Sequence, residues 1–299
     1  MKHIVYDCDN TFGVPRCDVD DGLALLYLLG CEEAWVHGIT AAYGNNKIDV
    51  VYETIRKMLR EIGREDLTLK KGGAGAGDYE SEAADYLVEM ADKYLGELSI
   101  LATGSLTNLG GAYKKDSHFF EKVKEIVLMG GITETLTFEK KTMKELNFSC
   151  DPEASFAVLR YGKNVSVASA NNCMKVLFTK EDYRRELYRT DKQIAVYIRE
   201  NTDYWFGFNE EDYGIQGFYN WDVTAAAYLM HPELFEDRKK RYAFSVKDLE
   251  TGFLREDDKG ETVCNLPVIR DGEKFKRNIY DTWMRVEMPE RREKFCGKH

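Results

Sequence analysis

Histidine and proline are scarce, with five of each in 299 residues. The histidines (His3, His37, His118, His231, His299) are scattered, so a histidine-rich zinc site has no support and any metal must take oxygen ligands. The seven cysteines are odd in number and form no CxxC pair, which argues against a disulfide framework. No run of about 18 apolar residues occurs, so no transmembrane helix is expected. Acidic residues enter at Asp7, before an apolar signal-type core can form, which points to a cytoplasmic protein. Positive charge is also short: 42 Lys and Arg against 52 Asp and Glu leave −10, which disfavours nucleic acid and anionic membranes as partners.

What is present supports a large core. Hydrophobic residues make up 43% and aromatics 12%. With no fixed-period repeat, residues 1–299 read as a single domain. Strands are expected at His3–Tyr6, Trp35–Tyr43, Leu98–Ala102, Glu125–Met129 and Val165–Ala168, with a further strand near Glu261–Cys264. Helices fit Gly22–Leu29, Lys47–Ile62, Glu80–Tyr94, Asp151–Arg160, Lys180–Glu200 and Asp222–Met230. Asn278–Met288 is expected to close the fold, and the charged tail Glu290–His299 to be peripheral. This βαβ alternation predicts an α/β fold: an open, mainly parallel, doubly wound (Rossmann-like) sheet.

Several expected strands stop at polar or small residues: Asp7 and Asp9, Gly44-Asn45-Asn46, Thr103-Gly104-Ser105, Gly130-Gly131, and Asn171-Asn172. In a parallel sheet these points share the carboxyl edge, where ligands bind. The densest of them is acidic. Asp7-Cys8-Asp9 follows the first strand, and Asp18-Val19-Asp20-Asp21 opens the next helix. Helix capping explains one or two of these carboxylates but not Asp7 and Asp9. Clustered anions repel unless a cation or protons compensate, and a hard divalent ion with all-oxygen ligands, calcium or magnesium, does so best. A competing pattern is present: Ile4-Val5-Tyr6-Asp7-Cys8-Asp9-Asn10-Thr11 also looks like the hhhDxDxT signature of haloacid-dehalogenase-type phosphatases, with Asp7 as nucleophile. It gives no role to Asp20 and Asp21.

The chain resembles the inosine–uridine-preferring nucleoside hydrolase family. The family opening DxDPGxDDxxALxxAL appears as Asp7-Cys8-Asp9, a longer loop over Asn10–Asp18, and Val19-Asp20-Asp21-Gly22-Leu23-Ala24-Leu25-Leu26. Gly38–Asn45, Ala102–Asn108, Val123–Gly131, Glu145-Leu146-Asn147 before Asp151-Pro152-Glu153-Ala154, and Trp221–Ala225 follow in family order.

The resemblance implies the nucleoside hydrolase fold, a Ca2+ cofactor and hydrolysis of the N-glycosidic bond of ribonucleosides. It assigns the metal to Asp9, Asp21, the Thr103 carbonyl and Asp222, with Asp9 as the base that takes the water's proton and Asp7 as a neighbour. It assigns the sugar to Asp20, Asn45, Met129, Glu145 and Asn147. It also implies a homodimer or homotetramer, and a mobile loop near the substrate at Gly72–Gly77. Other outcomes stay open at this point: an unusual N-riboside as substrate, or a calcium and ribose binder without turnover.

The sequence departs from the family at the leaving group. Many members carry His before the late Asp; here Trp221 stands there, able to stack on a base but not to protonate it. Trp205, Tyr204, Phe206, Tyr213 and Tyr219 are candidates to line a base pocket. Glu139 lies near the place where the family often has Asn for the sugar's 5′ end. The Asn10–Asp18 loop is expected to cover the metal site.

Overall fold

The computed structural model describes residues 1–289; the tail reading for Glu290–His299 lies outside them. An eight-stranded sheet organises the chain: β1 (Lys2–Cys8), β2 (Ala34–Ala41), β3 (Thr68–Lys71), β4 (Leu98–Ala102), β5 (Glu125–Met129), β6 (Val165–Ala168), β7 (Lys239–Tyr242) and β8 (Thr262–Asn265). Their spatial order is β7-β8-β6-β5-β4-β1-β2-β3. All neighbours run parallel except β7 and β8.

The chain lays β1, β2 and β3 in one direction and then returns to place β4 on the other side of β1. The winding therefore reverses between β1 and β4, where Asp7 is in register with Ala102. A crevice opens at such a reversal. Asp9 and Thr103 are the residues that emerge there. β1 is central and covered on both faces, which is why Ile4, Val5 and Tyr6 read as a continuous apolar run and are fully buried.

Helices cover both faces. They are α1 (Asp20–Gly30), α2 (Ile48–Glu61), α3 (Glu82–Lys93), α4 (Thr107–Lys115), α5 (Pro152–Tyr161), α6 (Gln193–Tyr213), α7 (Trp221–Met230) and α8 (Gly272–Trp283). α1 is apolar all round because it is enclosed, and Leu23–Leu28 are all fully buried. α8 packs on it, with the Trp283 indole donating to the Leu23 carbonyl at 2.9 Å. α2 is amphipathic: Val51, Ile55, Met58 and Leu59 face inward, each burial contributing about 1.5–3 kcal/mol, while Val50 is exposed. α3 and α5 start at Ser81 and Asp151, whose side chains accept from the N–H groups of Ala84 and Ala154.

The structure corrects several expected boundaries. Lys180–Glu200 is not one helix: a short helix ends at Glu186, and α6 begins at Gln193 and runs to Tyr213. The break is stabilised from both sides, since Arg199 Nη1 donates to the Leu187 carbonyl at 2.6 Å and the Lys192 N–H donates to Thr190 Oγ1 at 3.3 Å. β1 extends through Asp7 and Cys8. The edge strand β3 has no expected counterpart, because its four half-buried residues show no alternation. The six described cysteines are free, and no described helix is long and apolar enough to cross a membrane.

Candidate active site

Five carboxylates converge at the sheet's reversal point. Asp9 leaves β1, Asp18 ends the following loop, Asp20 and Asp21 open α1, and Asp222 opens α7 more than 200 residues later. Oxygens of Asp20, Asp21 and Asp222 lie within 4.8 Å of one another. The Asp222 N–H donates to Asp20 Oδ2 at 2.9 Å. Asp9 Oδ2 accepts the Asn45 N–H at 2.5 Å, and Asn45 Nδ2 bridges to Asp9 Oδ1 and Asp21 Oδ2 at 3.4 and 3.3 Å. Gly44 permits that approach, because a Cβ there would lie 2.0 Å from Asp9 Oδ2. Thr103 Oγ1 donates to Asp21 Oδ1 at 2.7 Å.

Burial decides the electrostatics. Removal from water raises the pKa of Asp9, Asp20, Asp21 and Asp222, and neighbouring carboxylates raise each of them further. Asp18 behaves the same way. Asp7, fully buried, is pushed up to about 7 by desolvation, partly offset by two contacts from Asn108 Nδ2 at 3.1 and 3.2 Å. Such a cluster persists with shared protons or with a cation. Its donors are all oxygen and, among the described residues, no lysine or arginine forms an ion pair with Asp9, Asp20, Asp21 or Asp222, so the residues fit a hard divalent ion.

Above the acids is a pocket of about 510 Å³, large enough for a small organic ligand. Its lining includes Asp18, Asp20, Asn45, Thr103, Met129, Glu145, Asn147, Trp221 and Asp222. Asp9 and Asp21 lie just beneath that surface. Asp7 lies behind them against Asn108, which leaves the phosphatase-type nucleophile without access. Asn147 Nδ2 donates to the carbonyls of Thr103 (2.8 Å) and Met129 (3.1 Å), tying the ends of β4 and β5. The Glu145 carboxylate accepts three backbone N–H groups, from Gly131 (3.1 Å), Phe148 (2.8 Å) and Ser149 (2.9 Å).

The aromatic wall differs from the expected one. Trp205, Tyr213 and Trp221 line the pocket, joined by Phe208, which stacks on Trp205 at 4.7 Å. Phe208 follows Trp205 by three residues on α6, a spacing that becomes visible once the helix is known to continue to Tyr213. Phe206 instead packs in the core against Tyr183 and Phe218. The Tyr204 hydroxyl donates to the Cys17 carbonyl at 2.9 Å, and Tyr219 packs on Trp221. The Asn10–Asp18 loop supplies Arg16, Cys17 and Asp18 to the lining.

Other expected neighbours are elsewhere. Gly72–Gly77 does not reach the pocket: the Gly73 N–H donates to Asn108 and the Gly77 N–H to Asp151. A Cβ at Gly72 would lie 2.2 Å from the Ala41 carbonyl, so this glycine serves a tight fit behind β2. Glu139 packs beside Gly214 outside the lining, and Asn171 and Asn172 serve neighbouring backbone. Lys71 pairs with Asp49.

The fold is shared with solved nucleoside hydrolases. A purine-preferring ribonucleoside hydrolase from Gardnerella vaginalis superposes with a TM-score of 0.82 at 22% identity, over 95% of this chain and 99% of that one. The chain belongs to the inosine-uridine preferring nucleoside hydrolase family, whose sequence profile matches residues 4–282. It is similar to uridine nucleosidase 1 of Arabidopsis thaliana, 26% identical over 249 residues, 74% of each chain. It is also similar to the pyrimidine-specific ribonucleoside hydrolase RihA of Citrobacter koseri, 25% identical over 260 residues, 78% of this chain and 80% of that one. The protein is thus an N-glycosyl hydrolase of a metal-dependent family, with a buried aspartate cluster suited to a metal.

Proposed function

We propose that the protein hydrolyses ribonucleosides with Ca2+ as cofactor and Asp9 as the base. The convergence of Asp20, Asp21 and Asp222 under an aromatic-walled pocket carries this reading. Asp9, Asp21, Asp222 and the Thr103 carbonyl would hold the ion. When bound, it neutralises the carboxylates and lowers the pKa of water in contact with it toward neutrality. Asp9 accepts the proton of the attacking water. Asp20 and Asn45 read the sugar hydroxyls. Asn147 has its amide donors on Thr103 and Met129, so the sugar would meet its oxygen. Glu145 and Met129 frame the ring, and positive charge developing on the ribose is met by this acidic surround.

Trp221, Trp205 and Phe208 offer faces on which a base stacks. Relatives named for uridine and pyrimidine substrates make uridine the first nucleoside to test. The same reading carries a cytoplasmic homodimer or homotetramer. The deciding measurement is reducing-sugar release from uridine, inosine, cytidine, adenosine and nicotinamide riboside. Chelator should abolish release and added Ca2+ restore it. Turnover that survives thorough chelation removes the metal from the mechanism.

A further inference from the structure

With Trp221 in the position where many family members carry histidine, the departing base has no acid there. Three cationic side chains line the pocket instead, Arg16, Lys141 and Lys144, and the first two meet there from segments far apart in sequence. Arg16 comes from the loop between β1 and α1. Lys141 comes from the hairpin in which Leu136–Thr137 pairs with Thr142–Met143. Both converge on one carboxylate: Arg16 Nη2 is 3.5 Å from Asp212 Oδ1, and Lys141 Nζ is 2.6 Å from Asp212 Oδ2. Each also covers a ring of the pocket wall, Arg16 at 5.0 Å from the Phe208 centroid and Lys141 at 4.2 Å from that of Tyr213. The trio carries a net charge of about +1, beside rings suited to a base.

Arg16 is held in place against its backbone preference. Val14–Cys17 form a turn closed by the Cys17 N–H on the Val14 carbonyl at 3.1 Å, with Pro15 second and Arg16 third at φ +63°. Proline second and a positive φ third favour glycine at that third place. Among the described residues only one other non-glycine, Asn164, has a positive φ, a conformation that Asn tolerates. Arginine thus stands at a turn position that glycine would fit with less strain.

We propose that Arg16 and Lys141, gathered on Asp212, hold the departing base at its carbonyl oxygens and stabilise the negative charge that it acquires as the C1′–N bond breaks. This rests on the reading of the pocket as the nucleoside site. The C1′–N electron pair leaves with the base. Water oxygen bonds to C1′ as one of its protons passes to Asp9, and the other proton stays on that oxygen as the C1′ hydroxyl of ribose. Solvent protonates the released base, and Asp9 returns its proton to solvent. Lys141 acts as a fixed charge, because its bond to Asp212 raises its pKa and keeps it protonated. Bases that bear a carbonyl oxygen conjugated to the glycosidic nitrogen, such as uracil and hypoxanthine, gain most, and adenine gains least.

The test compares kcat/KM on uridine and on p-nitrophenyl β-D-ribofuranoside, whose nitrophenolate departs unaided. Arg16→Gly and Lys141→Met should each lose at least about tenfold on uridine and several-fold less on the nitrophenyl riboside. Arg16→Gly should melt no lower than the parent, since glycine suits the turn. Equal losses on both substrates, or no loss on uridine, overturn the proposal while leaving the enzyme's assignment intact. A parent enzyme that cleaves neither substrate overturns the reading of the site and this inference with it.

Discussion

The floor of the pocket and its mouth hold charge in opposite ways. At the floor, Asp9, Asp20, Asp21 and Asp222 are at most 4% exposed, and the charges nearest them are other carboxylates. At the mouth, Arg16 and Lys141 are 68% and 43% exposed, and each has a carboxylate and a ring as partner. Exposed mixed charges are cheap to assemble and contribute little to stability. Buried like charges are costly and need a compensating ion or protons. The floor therefore depends on an added ion or protons, while the mouth balances its charges with its own partners.

The sharpest way to break this contrast is a charge deletion at the floor. Asp222→Asn preserves shape and the N–H bond to Asp20 but removes one anion. Turnover on uridine should fall on the order of 10³-fold or more, as expected for loss of a group central to charge stabilisation. Calcium affinity by calorimetry should fall with it. A loss no greater than that of the mouth variants would erase the distinction.

A smaller effect separates the two regions through pH. The floor carboxyls and Asp7 have folded pKa values above the unfolded value near 4, with Asp7 at about 7. A raised folded pKa means that the folded state binds more protons than the unfolded one. The associated stability is fully present below about pH 4 and is lost as pH rises toward and through about 7. Considered alone, these groups should make the chelated protein melt at a progressively lower temperature from pH 5 to pH 8, by a few kcal/mol of stability in order of magnitude. Saturating Ca2+ should flatten that slope, with its largest stabilisation at the alkaline end. Mouth variants should leave the slope unchanged. Melting curves at stepped pH, with chelator or calcium, measure all three.

The same contrast explains what was legible in the sequence. Floor residues sit at strand ends and helix starts, where local patterning gives their place: β1 stops at the acids, β4 at Thr103, and α7 opens on Asp222. A doubly wound sheet then brings these points to one edge whatever the intervening loops do. Glu145 and Asn147, and the roles of Thr103 and Asp222 as ligands, were legible only through the family resemblance, since no local pattern marks them. The mouth was less legible because tertiary contacts build it. Arg16 reaches Asp212 across most of the chain, and Phe208 faces the pocket only because α6 starts after a break and continues to Tyr213. Trp205 and Tyr213 looked like pocket residues by composition, yet so did Phe206, which the core absorbs. The glycines at 72–77 gave a loop signal but not its address.

The wall between floor and mouth yields the smallest expected change. Glu145 lines the pocket, but both its oxygens accept backbone N–H groups from Gly131, Phe148 and Ser149. Burial raises its pKa, and those three bonds oppose the rise. In Glu145→Gln one oxygen becomes an NH2 group. If the remaining oxygen keeps Gly131 and Phe148, the new donor faces the Ser149 N–H, so one bond is lost and the charge assistance of the others disappears. The expected cost is about 1–3 kcal/mol of stability. The turn that carries Asn147 should loosen, raising KM for uridine a few-fold while leaving the ratio of uridine to nitrophenyl riboside turnover as it was. Melting and steady-state kinetics on the same preparation decide the matter. A large rise in KM with an unchanged melting temperature would mean that Glu145 grips the sugar rather than the backbone.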